Sequence, residues 1–273
     1  MKRILTAIVA LPILLYTVWS PIPYFFVVLA GVAAMLALNE FYELAAKVSC
    51  RPFTAIGYAG ALLLIACFVV QRPQWSIAVL AATVIALLAA GLARPQEMAS
   101  ALASASSTLF GVMYVALLCG LLVGVRMIGD TEAGPHLAPK LLTLFFAIVM
   151  LTDTAAYYTG RAIGHHKLAP RISPGKTIEG SIGGLVAALG AGPLCRLIFF
   201  PELPIVESMI LGLIVSILGQ VGDLAESMLK RGSGVKDSSN LLPGHGGMLD
   251  RLDSILAAAP AIYYYSHHFI SNH

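Results

Sequence analysis

Four cations, three carboxylates and a histidine lie among glycines in the 24 residues from Lys230 to Asp253, KRGSGVKDSSNLLPGHGGMLDRLD. Only 11% of the 273-residue chain is charged, so this concentration is not background. Just upstream, GQVGDLAESMLKR sets Asp223, Glu226, Ser227 and Lys230 three and four residues apart, the spacing that places side chains on one face of a helix. Asp250 and Asp253 repeat the spacing downstream. Clustered carboxylates repel unless cations intervene. Magnesium, which takes one or two carboxylates and completes its shell with water and phosphate oxygens, is a natural guest. Lys230, Arg231, Lys236 and Arg251 add fixed positive charge. Hard-metal ligands, glycines and cations together suit phosphoryl chemistry, whose catalysis is mainly positioning and charge neutralisation. Spacing alone does not choose among the acids, and the bland alternative is a set of charges solvated at a membrane interface.

A second polar block, LTDTAAYYTGRAIGHHKLAPRISPGKTIEG, puts Asp153 at the end of an apolar run, followed by a loop of about 20 residues rich in cations, Gly and Pro. SPGKT, Ser173 to Thr177, ends like a phosphate-binding P-loop, but Pro170 stands where that motif needs its first Gly. Neither GHH (Gly164 to His166) nor GHGG (Gly244 to Gly247) has the spacing of a zinc-protease helix. A lone histidine in a polar loop is more often solvated than catalytic. His245, amid glycines, stays a candidate.

The elements that must position these residues are membrane helices. With 58% hydrophobic residues and a mean hydropathy of +0.85, the chain has too little polar surface to cover a water-soluble globule. Runs long enough for the roughly 30 Å hydrocarbon core recur near residues 4–20, 23–43, 54–71, 75–93, 106–126, 139–160, 181–200, 205–228 and 248–269. The predicted fold is therefore all-α: a polytopic bundle of about nine helices. The first run, after Met1-Lys2-Arg3, imitates a signal peptide but lacks a convincing small-residue cleavage site, so it reads as a retained helix. With the amino terminus inside, twelve basic residues from Lys2 to Lys236 fall in inner loops, against Arg72, Arg126, Lys140 and Arg196 outside. The polar site then faces the cytoplasm. Glu40, Glu43 and Glu97 lie at helix ends, where reaching water is easy, and the first five helices read as scaffold. This divides the chain at about 137/138, with scaffold over 1–137 and a catalytic membrane region over 138–273. The cysteines, Cys50, Cys67, Cys119 and Cys195, are scattered without metal or redox spacing. A net charge of +3 gives no sign of nucleic-acid binding.

SMLKRGSGVKDSSNLLPGHGGMLDRLD, Ser227 to Asp253, matches the signature of the phosphatidate cytidylyltransferase (CDP-diacylglycerol synthase) family. DTAAYYTGRAIGHHKLAPRISPGKTIEGSIGG resembles that family's other polar block, so the likeness covers most of the carboxyl-terminal half. The resemblance implies a magnesium-dependent enzyme of a bacterial inner membrane, with one or two metal ions, that joins CTP and phosphatidate to give CDP-diacylglycerol and pyrophosphate. It also allows a homodimer. The soluble cytidylyltransferases' H-x-G-H motif is absent from the sequence.

Carried onto this sequence, the resemblance makes Asp223 and Asp250 the principal metal ligands, with Asp253, Asp237 and Glu226 as alternates. It gives Lys230, Arg231, Lys236 and Arg251 to the phosphates, with His245, Gly246 and Gly247 in the loop that approaches them. Ser173, Lys176 and Thr177 become phosphate contacts, and Asp153 a support for that loop or for the cytidine. Two rivals stay open. An ion-coupled transporter also uses intramembrane carboxylates, and a CTP-dependent lipid kinase shares metal, nucleotide and lipid.

Overall fold

A computed structural model of the chain describes residues 2–93, 98–129, 135–239, 241 and 246–272. It is almost wholly helical: α1 (Lys2–Trp19), α2 (Tyr24–Lys47), α3 (Thr54–Val69), α4 (Ser76–Leu92), α5 (Met98–Gly111), α6 (Leu118–Arg126), α7 (Leu137–Ile163), α8 (Ile178–Ile198), α9 (Ile205–Gly232) and α10 (Leu249–Asn272). A buried π-helical segment, Val112–Leu117, joins α5 to α6 without a break, leaving nine helices among the described residues. All nine coincide with the predicted apolar runs, and the protein is a polytopic helical membrane protein. As spans, six are long and apolar enough to cross a membrane: Tyr24–Lys47, Pro73–Leu92, Ser100–Arg126, Leu137–Ile163, Ile178–Ile198 and Ile205–Gly232. Helices α3 and α10 fall short for different reasons. The 16 residues of α3 reach only about 24 Å at 1.5 Å per residue. In α10, Asp250, Arg251 and Asp253 open the helix, and tyrosines and histidines close it.

The polar block after α7 is shorter and more ordered than a loop of about 20 residues. Helix α7 runs on through Tyr157, Tyr158 and Arg161 to Ile163, and the chain then forms a two-stranded hairpin. Strands β1 (Lys167–Ala169) and β2 (Ser173–Thr177) pair antiparallel, with Lys167 opposite Thr177 and Ala169 opposite Ser173.

The chain divides into two compact units. One comprises Met1–Met127 with Leu229–Leu252, the other Ile128–Met228 with Asp253–His273. The polar segment after α9 is thus grouped with the amino-terminal helices.

In the first unit, aromatic side chains of α2 fill spaces opened by glycines. Gly111 lies against Phe41, Tyr42 and Leu38, while Gly57 lies under the Tyr42 ring. The Tyr42 hydroxyl donates to the Thr108 carbonyl at 3.2 Å, and the Thr108 hydroxyl accepts from the Phe53 amide at 2.8 Å. At one end, Arg126 is buried and donates to the Ser20 carbonyl at 2.5 Å, so this cation belongs to a helix junction and not to a solvated outer loop.

In the second unit, small residues let helices approach closely, as in membrane helix pairs where apolar lipid removes the hydrophobic drive and packing must supply the attraction. A Cβ on Gly184 would lie 3.0 Å from the Thr152 carbonyl oxygen, and one on Gly180 would lie 2.7 Å from that of Ala156, so α7 and α8 need both glycines. Gly222 of α9 faces the Asp253 carbonyl and Ala257 of α10 in the same way.

Candidate active site

In the first unit the polar side chains gather around two buried carboxylates. Asp250, in the first turn of α10, has a side chain only 6% exposed. Its Oδ1 pairs with the Lys230 ammonium, itself buried at the end of α9. Its Oδ2 accepts from the Ser238 amide (3.0 Å), the Ser238 hydroxyl (2.9 Å) and the Gly247 amide (2.7 Å). The last bond runs back three residues to the backbone ahead of the helix, the local logic of a capping box.

Glu40 of α2 is the second carboxylate. At 3% exposure it does not reach water. Its Oε1 accepts from the Ser239 hydroxyl (2.6 Å) and the Met248 amide (2.9 Å). Its Oε2 accepts from the Ser238 hydroxyl (2.9 Å) and the Leu249 amide (2.8 Å). Two of those donors are orphan amides at the start of α10, where a negative charge is stabilised by the helix dipole. The Ser238 hydroxyl has one proton and stands between both carboxylates, so it serves one at a time. Gly246 and Gly247 close this arrangement. Gly246 adopts φ +77°, which an L side chain rarely takes, and a Cβ there would come 2.5 Å from Asp250 Oδ2. A Cβ on Gly247 would overlap the Ser238 hydroxyl and the Glu40 carboxylate.

In the second unit the hairpin delivers Lys176 to α9. The Lys176 ammonium lies 2.6 Å from Asp223 Oδ2, with the two side chains 26% and 35% exposed. Thr177, next along, caps α8: its hydroxyl accepts from the Gly180 amide at 3.1 Å. Gly160, Gly164 and Gly180 all crowd that hydroxyl, so a larger residue at any of them would unseat the hairpin. Glu179 steadies the same turn, accepting from the His166 amide at 3.2 Å and lying 2.6 Å from His166 Nδ1.

The predicted stripe on α9 is present. Glu226, Ser227 and Lys230 are buried, while Val221 and Met228 on other faces are exposed. Asp253 Oδ1 accepts from the Ser254 amide at 2.6 Å. Arg231 donates to the Val235 carbonyl at 3.0 Å within its own turn. Lys236, Asp237 and Arg251 are exposed, and Ser173 is half-buried in β2. Asp153 is exposed on α7, ten residues before the helix ends at Ile163, so it sits within the helix and not at its exit. His245, Arg94 and Glu97 lie outside the described residues. Sequence reasoning missed the role of Glu40, one of two acids near the end of an otherwise apolar helix.

The Cytidylyltransferase family model matches residues 1–269. The chain belongs to the cytidylyltransferase family. It is similar to proteins named phosphatidate cytidylyltransferase. The Bacillus subtilis protein is 46% identical over 126 residues, covering 45% of this chain and 47% of the relative. The Brucella suis protein is 51% identical over 126 residues, covering 45% of each. The Haemophilus influenzae protein is 46% identical over 137 residues, covering 48% and 47%. The chain thus spans about half the length of the curated relatives it matches.

For a cytidylyltransferase, the donor sets decide what cation fits. Among the described residues, no three His, Cys, Asp or Glu side chains form a metal-holding group. Magnesium bound here would therefore draw most of its shell from water and phosphate oxygens, which is its usual habit. Asp223, a third exposed and paired with an ammonium, has the open side such a ligand needs. At Asp250 a cation would have to share Oδ1 with the Lys230 ammonium, because three donors already occupy Oδ2.

Proposed function

We propose that this chain transfers CMP from CTP to phosphatidate, giving CDP-diacylglycerol and pyrophosphate, at the cytoplasmic face of a bacterial inner membrane. The observation that carries the reading is the buried Lys230–Asp250 pair, fixed by three further donors, in a chain that matches the cytidylyltransferase family over residues 1–269. The names of the similar proteins supply the lipid substrate.

In the proposed reaction a phosphate oxygen of phosphatidate attacks the α-phosphorus of CTP. A new P–O bond forms, the bond to the β-phosphate oxygen breaks, and pyrophosphate leaves with its electron pair. The nucleophile is already anionic, so no side chain has to remove a proton. The obstacle is repulsion between two polyanions, and the work of the residues is to hold and neutralise them. Lys176 and Lys230 each sit on a carboxylate, and an arriving phosphate offers either ammonium a second anionic partner. Exposed Arg231, Lys236 and Arg251 attract the triphosphate from water. Asp223 in the second unit and Asp250 in the first are each a carboxylate to which magnesium would bind. Bound magnesium supplies neutralisation of the charge that develops on the triphosphate. Fixed geometry at Asp250 keeps Lys230 in place while this occurs.

The test is incubation of detergent-purified protein with phosphatidate and CTP labelled on the α-phosphate. Label in lipid with one pyrophosphate per turnover supports the reading. Release of CDP with unlabelled phosphorylated lipid would assign the chain to a kinase, and folded protein giving neither product would return the transporter reading.

A further inference from the structure

We propose that Glu40, on the second helix, is a positioning residue that clasps the two flanks of the signature segment and thereby aims Asp250 and Lys230. The inference rests on the CMP-transfer reading. Four observations carry it. Glu40 is 3% exposed, yet each of its oxygens accepts two bonds, the full acceptor capacity of a carboxylate. The donors come in two pairs, Ser238 with Ser239 before the glycine-rich stretch of the sequence and Met248 with Leu249 after it. Ser238 and Gly247 also donate to Asp250, so the groups that hold Glu40 adjoin those that orient the proposed catalytic carboxylate. Gly247 has no room for a side chain because Glu40 and Ser238 fill that space. A buried carboxylate needing this many partners is costly unless all are present, so its satisfied state specifies one loop geometry.

The clasp makes a graded prediction. In Glu40→Gln the remaining oxygen keeps Ser239 and Met248, and the new amide can donate to the Ser238 oxygen. The Leu249 amide alone then faces a donor. In Glu40→Ala the Ser239 hydroxyl and the Met248 and Leu249 amides lose their acceptor, and the Ser238 hydroxyl is left with Asp250 alone. Turnover should fall about tenfold in the glutamine variant, as one buried donor is orphaned. It should fall about 100-fold in the alanine variant, as the carboxylate and ammonium drift by a fraction of an ångström or more. Because Glu40 is buried and its oxygens face only donors of this chain, it acts through Asp250 and Lys230, and the loss belongs in kcat, with KM for CTP changed by less than about twofold. Glu43→Gln, an exposed neighbour that accepts from Asn39, is the control and should match wild type.

Purified variants are assayed for CMP transfer below their melting temperatures and digested with trypsin, scoring cleavage after Arg231 and Lys236. Graded loss of kcat with faster cleavage in Glu40→Ala supports the clasp. Wild-type kcat in folded Glu40→Ala, or loss confined to KM or to melting temperature, overturns it. If wild-type protein transfers no CMP, the reaction assigned above fails. The digestion then decides the clasp: unchanged cleavage in Glu40→Ala overturns it, and faster cleavage sustains it.

Discussion

Replacing Asp250 by Asn separates charge from packing at the centre of the polar cluster. Asparagine has nearly the same shape, and its oxygen can keep all three Oδ2 donors: the Ser238 amide at 3.0 Å, its hydroxyl at 2.9 Å and the Gly247 amide at 2.7 Å. Its amide nitrogen must then face the Lys230 ammonium, donor against donor, with the two side chains 11% and 6% exposed in the wild type. A charge-assisted bond worth about 1.5–3 kcal/mol is lost. Breaking a buried pair costs about 3–5 kcal/mol in all, because the surviving charge stays desolvated. With three of four contacts retained, the low end applies, and the variant should unfold about 3 kcal/mol more easily while remaining folded at room temperature. Transfer should suffer more. Loss of the negative charge that fixes Lys230 and would face magnesium should lower kcat/KM by more than about 100-fold, or ~2.7 kcal/mol of transition-state stabilisation. The assay is label transfer from α-labelled CTP to phosphatidate over a magnesium series, on protein first shown to be monodisperse and to melt cooperatively. Turnover within about threefold of wild type, a difference of only ~0.65 kcal/mol, would refute the reasoning.

Gly247→Ala should behave like a lesion of the same cluster, because its methyl group overlaps Ser238 and Glu40, whereas Gly175→Ala has nothing within 4 Å and should retain full stability and activity. Thermal unfolding and turnover of the two variants, measured side by side, check this contrast, and the expected cost at Gly247 is about 1–3 kcal/mol. Lys176→Met removes a partly exposed pair, so stability should change by no more than about 1 kcal/mol while transfer falls, an uncoupling that melting curves and initial rates would register. Thr177→Val keeps the bulk beside Gly160 and Gly164 but loses the bond to the Gly180 amide, and should cost about 1 kcal/mol of thermal stability.

The helices were legible because a membrane span must be apolar for its whole length, which writes a long, local signal into the chain. That same signal misjudged exits and ends. Asp153 looks like the end of a run, yet Tyr157, Tyr158 and Arg161 continue α7 to Ile163, since hydrogen-bonded helix persists past the last apolar residue when its backbone has no better partner. The hairpin was hidden for a related reason: three- and five-residue strands rich in Pro and Gly give no alternation to read.

For the chemistry, the sequence alone determined which residues share a helix face. The spacing of Asp223, Glu226, Ser227 and Lys230 predicts one stripe, and α9 buries the last three along it. Proximity in the chain also suffices for Gly247 and Asp250, three residues apart and joined by a 2.7 Å bond. Only the tertiary structure decided the partners of those groups. It pairs Lys176 with Asp223 across a hairpin and a helix, and it brings Glu40 to amides 208 and 209 residues away. Such contacts carry no periodicity. A glutamate near the end of an apolar helix reads the same whether it reaches water, as Glu43 does, or caps another helix, as Glu40 does, and the difference between the two lies in the set of donors that folding brings to it.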